Sequence, residues 1–89
     1  MDAGGFGRSI YLAKSLRSRR HRALLAVLVG SRKDAGLTQR QVAAKWKRPQ
    51  STVAAIESGE RRLDVVEFFE LAETLGVDPV ALFERVARW

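Results

Sequence analysis

What most limits the fold of this chain is how often its sequence starts and stops a helix. Thr38 and Gln41 form a capping box, in which each side chain can satisfy the other's free backbone N–H. A helix from about Gln39 to Lys45 or Trp46 follows. Lys47-Arg48-Pro49 breaks it, because Pro49 drives Arg48 out of the helical region and can itself open another helix. That helix runs from about Gln50 to Glu57 and ends at Ser58-Gly59. Helices this short are marginal in isolation, so both must be held by packing. Their apolar positions agree: Val42, Ala43 and Trp46 share one face, and Val53 and Ile56 another.

The flanks repeat the pattern. From about Arg17 to Ala35, Leu24, Leu25 and Leu28 recur at helical spacing. Gly30 interrupts that run at a cost of about 1 kcal/mol relative to Ala, and Gly36 ends it. Asp64 with Glu67 is a second capping box. It opens a helix through Leu75 with a broad apolar stripe of Val65, Phe68, Phe69, Leu71, Ala72 and Leu75. Gly76 stops it. Asp78 caps a last helix with Pro79 at its first position and Leu82, Phe83 and Val86 on its inner face. No segment alternates at period two long enough to be a strand. The spacing predicts an all-α domain of five helices over residues 17–89, preceded by a flexible basic tail over 1–16 that contains Gly4, Gly5 and Gly7.

Composition excludes several functions. Eighty-nine residues make one domain. There is no Cys, which removes disulfides, thiolate metal sites and a Cys nucleophile. With His21 as the single histidine, a multi-His metal site is excluded, and His21 reads as a surface residue beside arginines. Glu57, Glu60, Glu67, Glu70 and Glu73 read as caps and a solvated helix face, with no nucleophile–base pair. The expectation is a protein that is not an enzyme and needs no metal, cofactor or small-molecule ligand. Arg17 to Arg22 followed by the apolar run Ala23 to Val29 resembles a signal peptide. The run is short, however, and Ser31-Arg32-Lys33-Asp34 replaces a cleavage site. An Arg-rich, acid-poor start also suits an organellar presequence; the simpler expectation is a cytoplasmic protein away from membranes. Residues 1–48 carry a net charge of +10 and residues 49–89 a net charge of −4, so the first half is suited to an anionic partner.

Two short helices joined by about three residues inside a five-helix domain follow the helix-turn-helix plan. Gln39, Ala43, Val53 and Ile56 fit it: the small Ala43 lets the two helices cross closely, and Val53 and Ile56 plug the gap. Together with Leu37-Thr38-Gln39, Pro49-Gln50-Ser51, Ile56-Glu57-Ser58-Gly59-Glu60-Arg61-Arg62 and Leu75-Gly76-Val77, they make the chain resemble the phage-repressor-like (Cro and XRE type) family of helix-turn-helix regulators over roughly residues 20–87. One departure stands out. The family usually places Gly in the turn, where this chain has Lys47. Either the turn is shaped differently, or Lys47 accepts strain of order 1 kcal/mol and adds a phosphate contact.

The resemblance implies a lambda-repressor-like DNA-binding domain whose helices 2 and 3 form the motif. It implies double-stranded DNA as partner and the third helix as the reader of the major groove. Gln50, Ser51 and Ala55 then face bases, Gln50 pairing bidentately with adenine and Ala55 offering its methyl to thymine. Gln39, Lys47, Arg48, Thr52, Arg61 and Arg62 become candidates for phosphate. Arg32 and Glu57 correspond to a partly buried ion pair, of which breaking one side costs about 3–5 kcal/mol if burial is deep. A symmetric dimer on a palindrome follows the same logic, with Leu82, Phe83, Val86 and Trp89 as its expected surface. The segment Lys14 to Arg22 is a candidate arm along DNA.

The function so implied is a sequence-specific transcriptional regulator, a repressor found on the nucleoid when bound. Two rivals stand beside it. One is a restriction–modification controller or antitoxin. The other is a protein-interaction module that keeps the fold without binding DNA, which the absence of Lys and Arg from the third helix favours and the basic flanks oppose.

Overall fold

Side chains tie off the helix ends. A computed structural model describes residues 18–89 as α1 (Arg19–Asp34), α2 (Gln39–Trp46), α3 (Gln50–Ser58), α4 (Val65–Leu75) and α5 (Pro79–Ala87), with no strand among the described residues. The tail over 1–16 lies outside them, as does the Lys14–Arg17 part of the candidate arm; Arg19, Arg20 and Arg22 belong to α1. Ser18 caps α1 by accepting the His21 N–H at 3.0 Å. Both reciprocal boxes form, Thr38 with Gln41 and Asp64 with Glu67. Asp78 caps α5 with Pro79 in its first turn. The start of α3 lacks a side-chain cap, and the Thr52 N–H bonds the Pro49 carbonyl at 3.0 Å instead.

Two turns use left-handed backbone to different ends. Gly59 ends α3 at φ 87°, and a Cβ there would also meet Leu25 Cδ1 at 3.3 Å. Glycine therefore serves both the turn and the close approach of α1. Lys47 ends α2 at φ 61°, ψ 44° and is the one non-glycine residue with positive φ among those described. The turn thus keeps a left-handed shape, and Lys47 bears the strain.

All five helices contribute to one core. Val27 and Leu28 of α1 meet Val42, Ala43 and Trp46 of α2, Val53 and Ile56 of α3, Leu71, Ala72 and Leu75 of α4, and Leu82 and Val86 of α5. Ala43 is buried where α2 crosses α3. Burying apolar area at roughly 25 cal/mol per Å² is what holds such short helices in place. The apolar stripe of α4 is narrower than its sequence suggests. Phe69 is 47% exposed and Val65 70%, because both sit at the edge of an inner arc centred on Leu71, Ala72 and Leu75. Phe68 bridges inside and outside, meeting Phe69 and Phe83 edge-on with centroids at 6.3 and 6.4 Å.

The face of α5 needs the same correction. Leu82 and Val86 are core residues, 2% and 7% exposed, and offer no surface to a second copy. Phe83 and Trp89 are exposed. His21 is also not a surface residue. It is half-buried, its Nε2 is buried without a hydrogen-bond partner, and burial and then the Arg62 charge hold its imidazole below the ordinary range.

Strain at Lys47 gives a direct test. Replacing a non-glycine residue in left-handed backbone relieves about 1 kcal/mol, part of which is returned as entropy of the unfolded chain. Lys47→Gly is expected to raise the thermal midpoint by a few degrees in circular dichroism melts. A lowered midpoint would mean that the lysine side chain contributes more than its backbone loses.

Candidate nucleic-acid interface

The interface is built on the packing of α2 against α3. Because Val42, Ala43 and Trp46 point inward, Gln39 is left at the N-terminal edge of α2, half-buried beside α3. Because Val53 and Ile56 point inward, Gln50 and Ser51 of the first turn of α3 are exposed, while Thr52 and Ala55 are half-buried. Gln50 Nε2 donates to Gln39 Oε1 at 3.0 Å. Gln39 Nε2 donates to Glu57 Oε1 at 2.8 Å. The first residues of the two helices are thereby joined to the last turn of α3.

Glu57 is the hub. Arg32 Nε donates to its Oε2 at 2.7 Å and Arg32 Nη2 to its Oε1 at 3.0 Å, a bidentate pair whose side chains are 13% and 11% exposed. Arg32 Nη1 donates to the Leu37 carbonyl at 2.9 Å, in the loop between α1 and α2. One guanidinium thus links α1, the entry to α2 and the end of α3. The hydrogen bond to Glu57 raises the Arg32 pKa against the opposing effect of burial.

A second polar cluster holds the turn and the loop after α3. Arg61 grips Glu67 bidentately, Nη1 to Oε1 at 3.0 Å and Nη2 to Oε2 at 2.7 Å. Arg48 reaches Glu67 Oε2 at 3.5 Å and Glu70 Oε1 at 3.2 Å, with its guanidinium 4.6 Å from the Trp46 ring centroid. Trp46 Nε1 donates to Glu70 Oε1 at 2.9 Å, so the indole is a core side chain with its polar edge satisfied. Glu67 also accepts the Asp64 N–H as part of the capping box. The Arg61 hydrogen bonds, aided by that N–H and by the Arg48 charge, hold the Glu67 carboxyl down at about 2 despite its burial.

This cluster changes the picture of the candidate phosphate ligands. Arg48 and Arg61 are engaged with carboxylates, and Glu67 and Glu70 are their anchors instead of parts of a solvated face. The spacing of Glu67 and Glu70 along α4 carried no sign of this, since the partners come from other elements. Arg40, Lys45 and Lys47 are exposed and enter no ion pair among the described residues. Lys45 belongs to the basic flanks already read from the sequence, and Arg40 adds a further exposed cation on α2. Arg62 is exposed beside the site. Among the described residues, no group of His, Asp or Glu could hold a metal ion, and no helix is long and apolar enough to cross a membrane.

Comparison with known proteins agrees with this geometry. A family profile described as helix-turn-helix matches residues 31–82. An XRE-family-like protein from Pseudomonas syringae pv. tomato superposes with a TM-score of 0.78 and 42% identity over 86% of this chain and 94% of its own. The chain belongs to the XRE-type helix-turn-helix family of regulators. An uncharacterised helix-turn-helix transcriptional regulator, y4dJ of Sinorhizobium fredii, is 40% identical over 60 residues, which span 62% of this chain and 78% of the relative. The restriction–modification controller C.Esp1396I shares the fold, with a TM-score of 0.74 at 24% identity over 80% of this chain and 91% of its own.

Linkage makes the Glu67 cluster testable. In the folded protein Glu67 binds its proton near pH 2, and in the unfolded chain near 4.5. The unfolded state therefore takes up the proton first, and stability present above about pH 4.5 is lost as pH falls toward 2. The contribution at neutral pH is on the order of 3 kcal/mol. Urea midpoints measured against pH are expected to drop over that window in the wild type and to be flatter in Glu67→Gln. Parallel curves for the two proteins would show that Glu67 is not so held.

Proposed function

We propose that the protein is a sequence-specific double-stranded DNA-binding repressor that acts as a dimer on a palindromic operator. The observation that carries this reading is the state of Gln50. It is exposed on the first turn of α3, held by Gln39, and left with Oε1 and one N–H. Adenine's major-groove edge needs that acceptor and that donor. Ser51 lies beside Gln50 and Ala55 one turn further along α3, the first for a polar base edge and the second for a thymine methyl. Gln39, Thr52, Lys47 and Arg62 serve the phosphates, joined by Arg40 and Lys45; Arg48 and Arg61 reach them only by loosening their carboxylates. Glu57, Asp64, Glu67, Glu70 and Asp78 are occupied with caps and ion pairs, which supports a binding role over a catalytic one. In that role it works in the cytoplasm, at the nucleoid when bound to DNA.

A second copy of the chain fits the exposed apolar face of α4 and α5. Val65, Phe69, Val80 and Phe83 line one groove there and Trp89 is exposed, and exposed apolar patches rimmed by polar residues mark interaction surfaces. A twofold pair is what a palindromic operator calls for, since its half-sites lie about 34 Å apart. The C.Esp1396I controller is a tetramer on its natural operator, a precedent for assembly on DNA within this fold. The rival reading as a protein-interaction module has one observation in its favour: α3 carries no Lys or Arg.

Fluorescence anisotropy with the gene's own promoter and a scrambled duplex separates the two. Tight binding to the promoter alone is expected, with a log–log salt slope of several units. Gln50→Ala should cost about 1–3 kcal/mol on the preferred site and nothing on the scrambled one. No binding to either duplex at low salt would support the interaction module. For the assembly, Phe83→Glu alters an exposed side chain and should leave the fold intact. It is expected to shift sedimentation from dimer to monomer and to weaken operator binding. A wild-type monomer, free and on DNA, would end the dimer proposal.

A further inference from the structure

The buried ion pair ends in a chain of hydrogen bonds that reaches the base-reading side chain. A glutamine amide has a donor end and an acceptor end, and either can point either way unless its neighbours decide. Here they decide. Ionised Glu57 only accepts. Arg32 fills Oε2 and shares Oε1, so what Gln39 turns toward Oε1 must be its NH₂ group. Gln39 then presents its oxygen to Gln50, and Gln50 must answer with an N–H. What Gln50 has left is one N–H and one oxygen.

That remainder is not symmetric between the purines. Adenine shows an acceptor at N7 and a donor at N6, whereas guanine shows acceptors at both N7 and O6. The fixed amide matches adenine and sets its oxygen against guanine O6. With the amide reversed, both N–H groups of Gln50 would be free, and these suit guanine. We propose that Arg32 and Glu57 are positioning residues for base recognition: acting through Gln39, they set the polarity of the Gln50 amide and so make it select adenine over guanine. The inference rests on the DNA-reading role proposed above, and it gives the ion pair a task beyond joining α1 to α3.

The test is selection of duplexes from a randomised library by the full-length protein, followed by competition binding. The position read by Gln50 is the one whose preference disappears in Gln50→Ala. In the wild type that position should be adenine. Gln39→Met keeps the side chain's bulk and leaves the ion pair whole while cutting the chain. It should lower the adenine-over-guanine ratio about tenfold at that position and leave preferences elsewhere unchanged. Any uniform loss of affinity from a missing phosphate contact cancels in the ratio. Glu57→Gln, where circular dichroism shows it folded, should shift the same position toward guanine; where it does not fold, Gln39→Met decides.

A wild-type preference for guanine or a pyrimidine at that position would overturn the inference. So would an undiminished adenine preference in Gln39→Met or in folded Glu57→Gln. Selection of no motif by the wild type would overturn the DNA-reading role itself, and this inference with it. A motif whose purine preference ignores both variants would overturn this inference alone.

Discussion

The bidentate contact between Arg32 and Glu57 is the constraint on which the rest of the molecule depends. α2 and α3 are each little more than two turns long, too short to hold their own geometry in water. Apolar contacts through Ala43, Val53 and Ile56 bring them together, but such contacts are non-directional. Direction comes from one guanidinium whose donors are divided between Glu57 and the Leu37 carbonyl. With both partners largely removed from water, neither can leave without stranding the other. The end of α3 is therefore fixed in angle as well as in position, and the exposed first turn inherits that precision.

The Trp46, Arg48, Arg61, Glu67 and Glu70 cluster does complementary work on the other side of the motif. It ties the turn after α2 and the loop after α3 to α4, using side chains that double as cap and core. Glu67 shows the economy of the arrangement. One carboxylate completes the α4 capping box and receives Arg61 and Arg48. A protein with so small a core gains much of its shape specificity from such shared polar groups.

Local features of the sequence were the legible ones. Capping boxes, Pro49 and the glycine stops act within a few residues, so the helix order and nearly all helix ends could be read from Thr38/Gln41, Asp64/Glu67, Gly36, Gly59 and Gly76. Side-chain fates that depend on distant elements were not legible. Periodicity puts Phe69 and Phe83 on apolar faces but does not say how wide an arc the neighbours cover. Composition makes His21 look solvated and leaves Arg48 and Arg61 looking available to phosphate, whereas burial near Arg62 and the carboxylates of α4 set their surroundings. The Gln50–Gln39–Glu57 chain joins residues 11 and 18 positions apart, and only the crossing of two helices brings them within reach. Lys47 lay between these cases: its φ is local, yet nothing short of the fold obliges a lysine to adopt it.

If α3 reads bases as proposed, its lack of a single cation has a kinetic meaning. Electrostatic attraction to DNA is blind to sequence and is the same at every site along the duplex. In the DNA-reading role proposed above, that attraction would belong to residues flanking α3, and discrimination to uncharged amides, hydroxyls and a methyl on it. The time spent at random positions and the time spent at the right one are then governed by different side chains. A change in Lys45 or Lys47 would then alter how quickly the genome is searched, and a change in α3 how long the search stays ended.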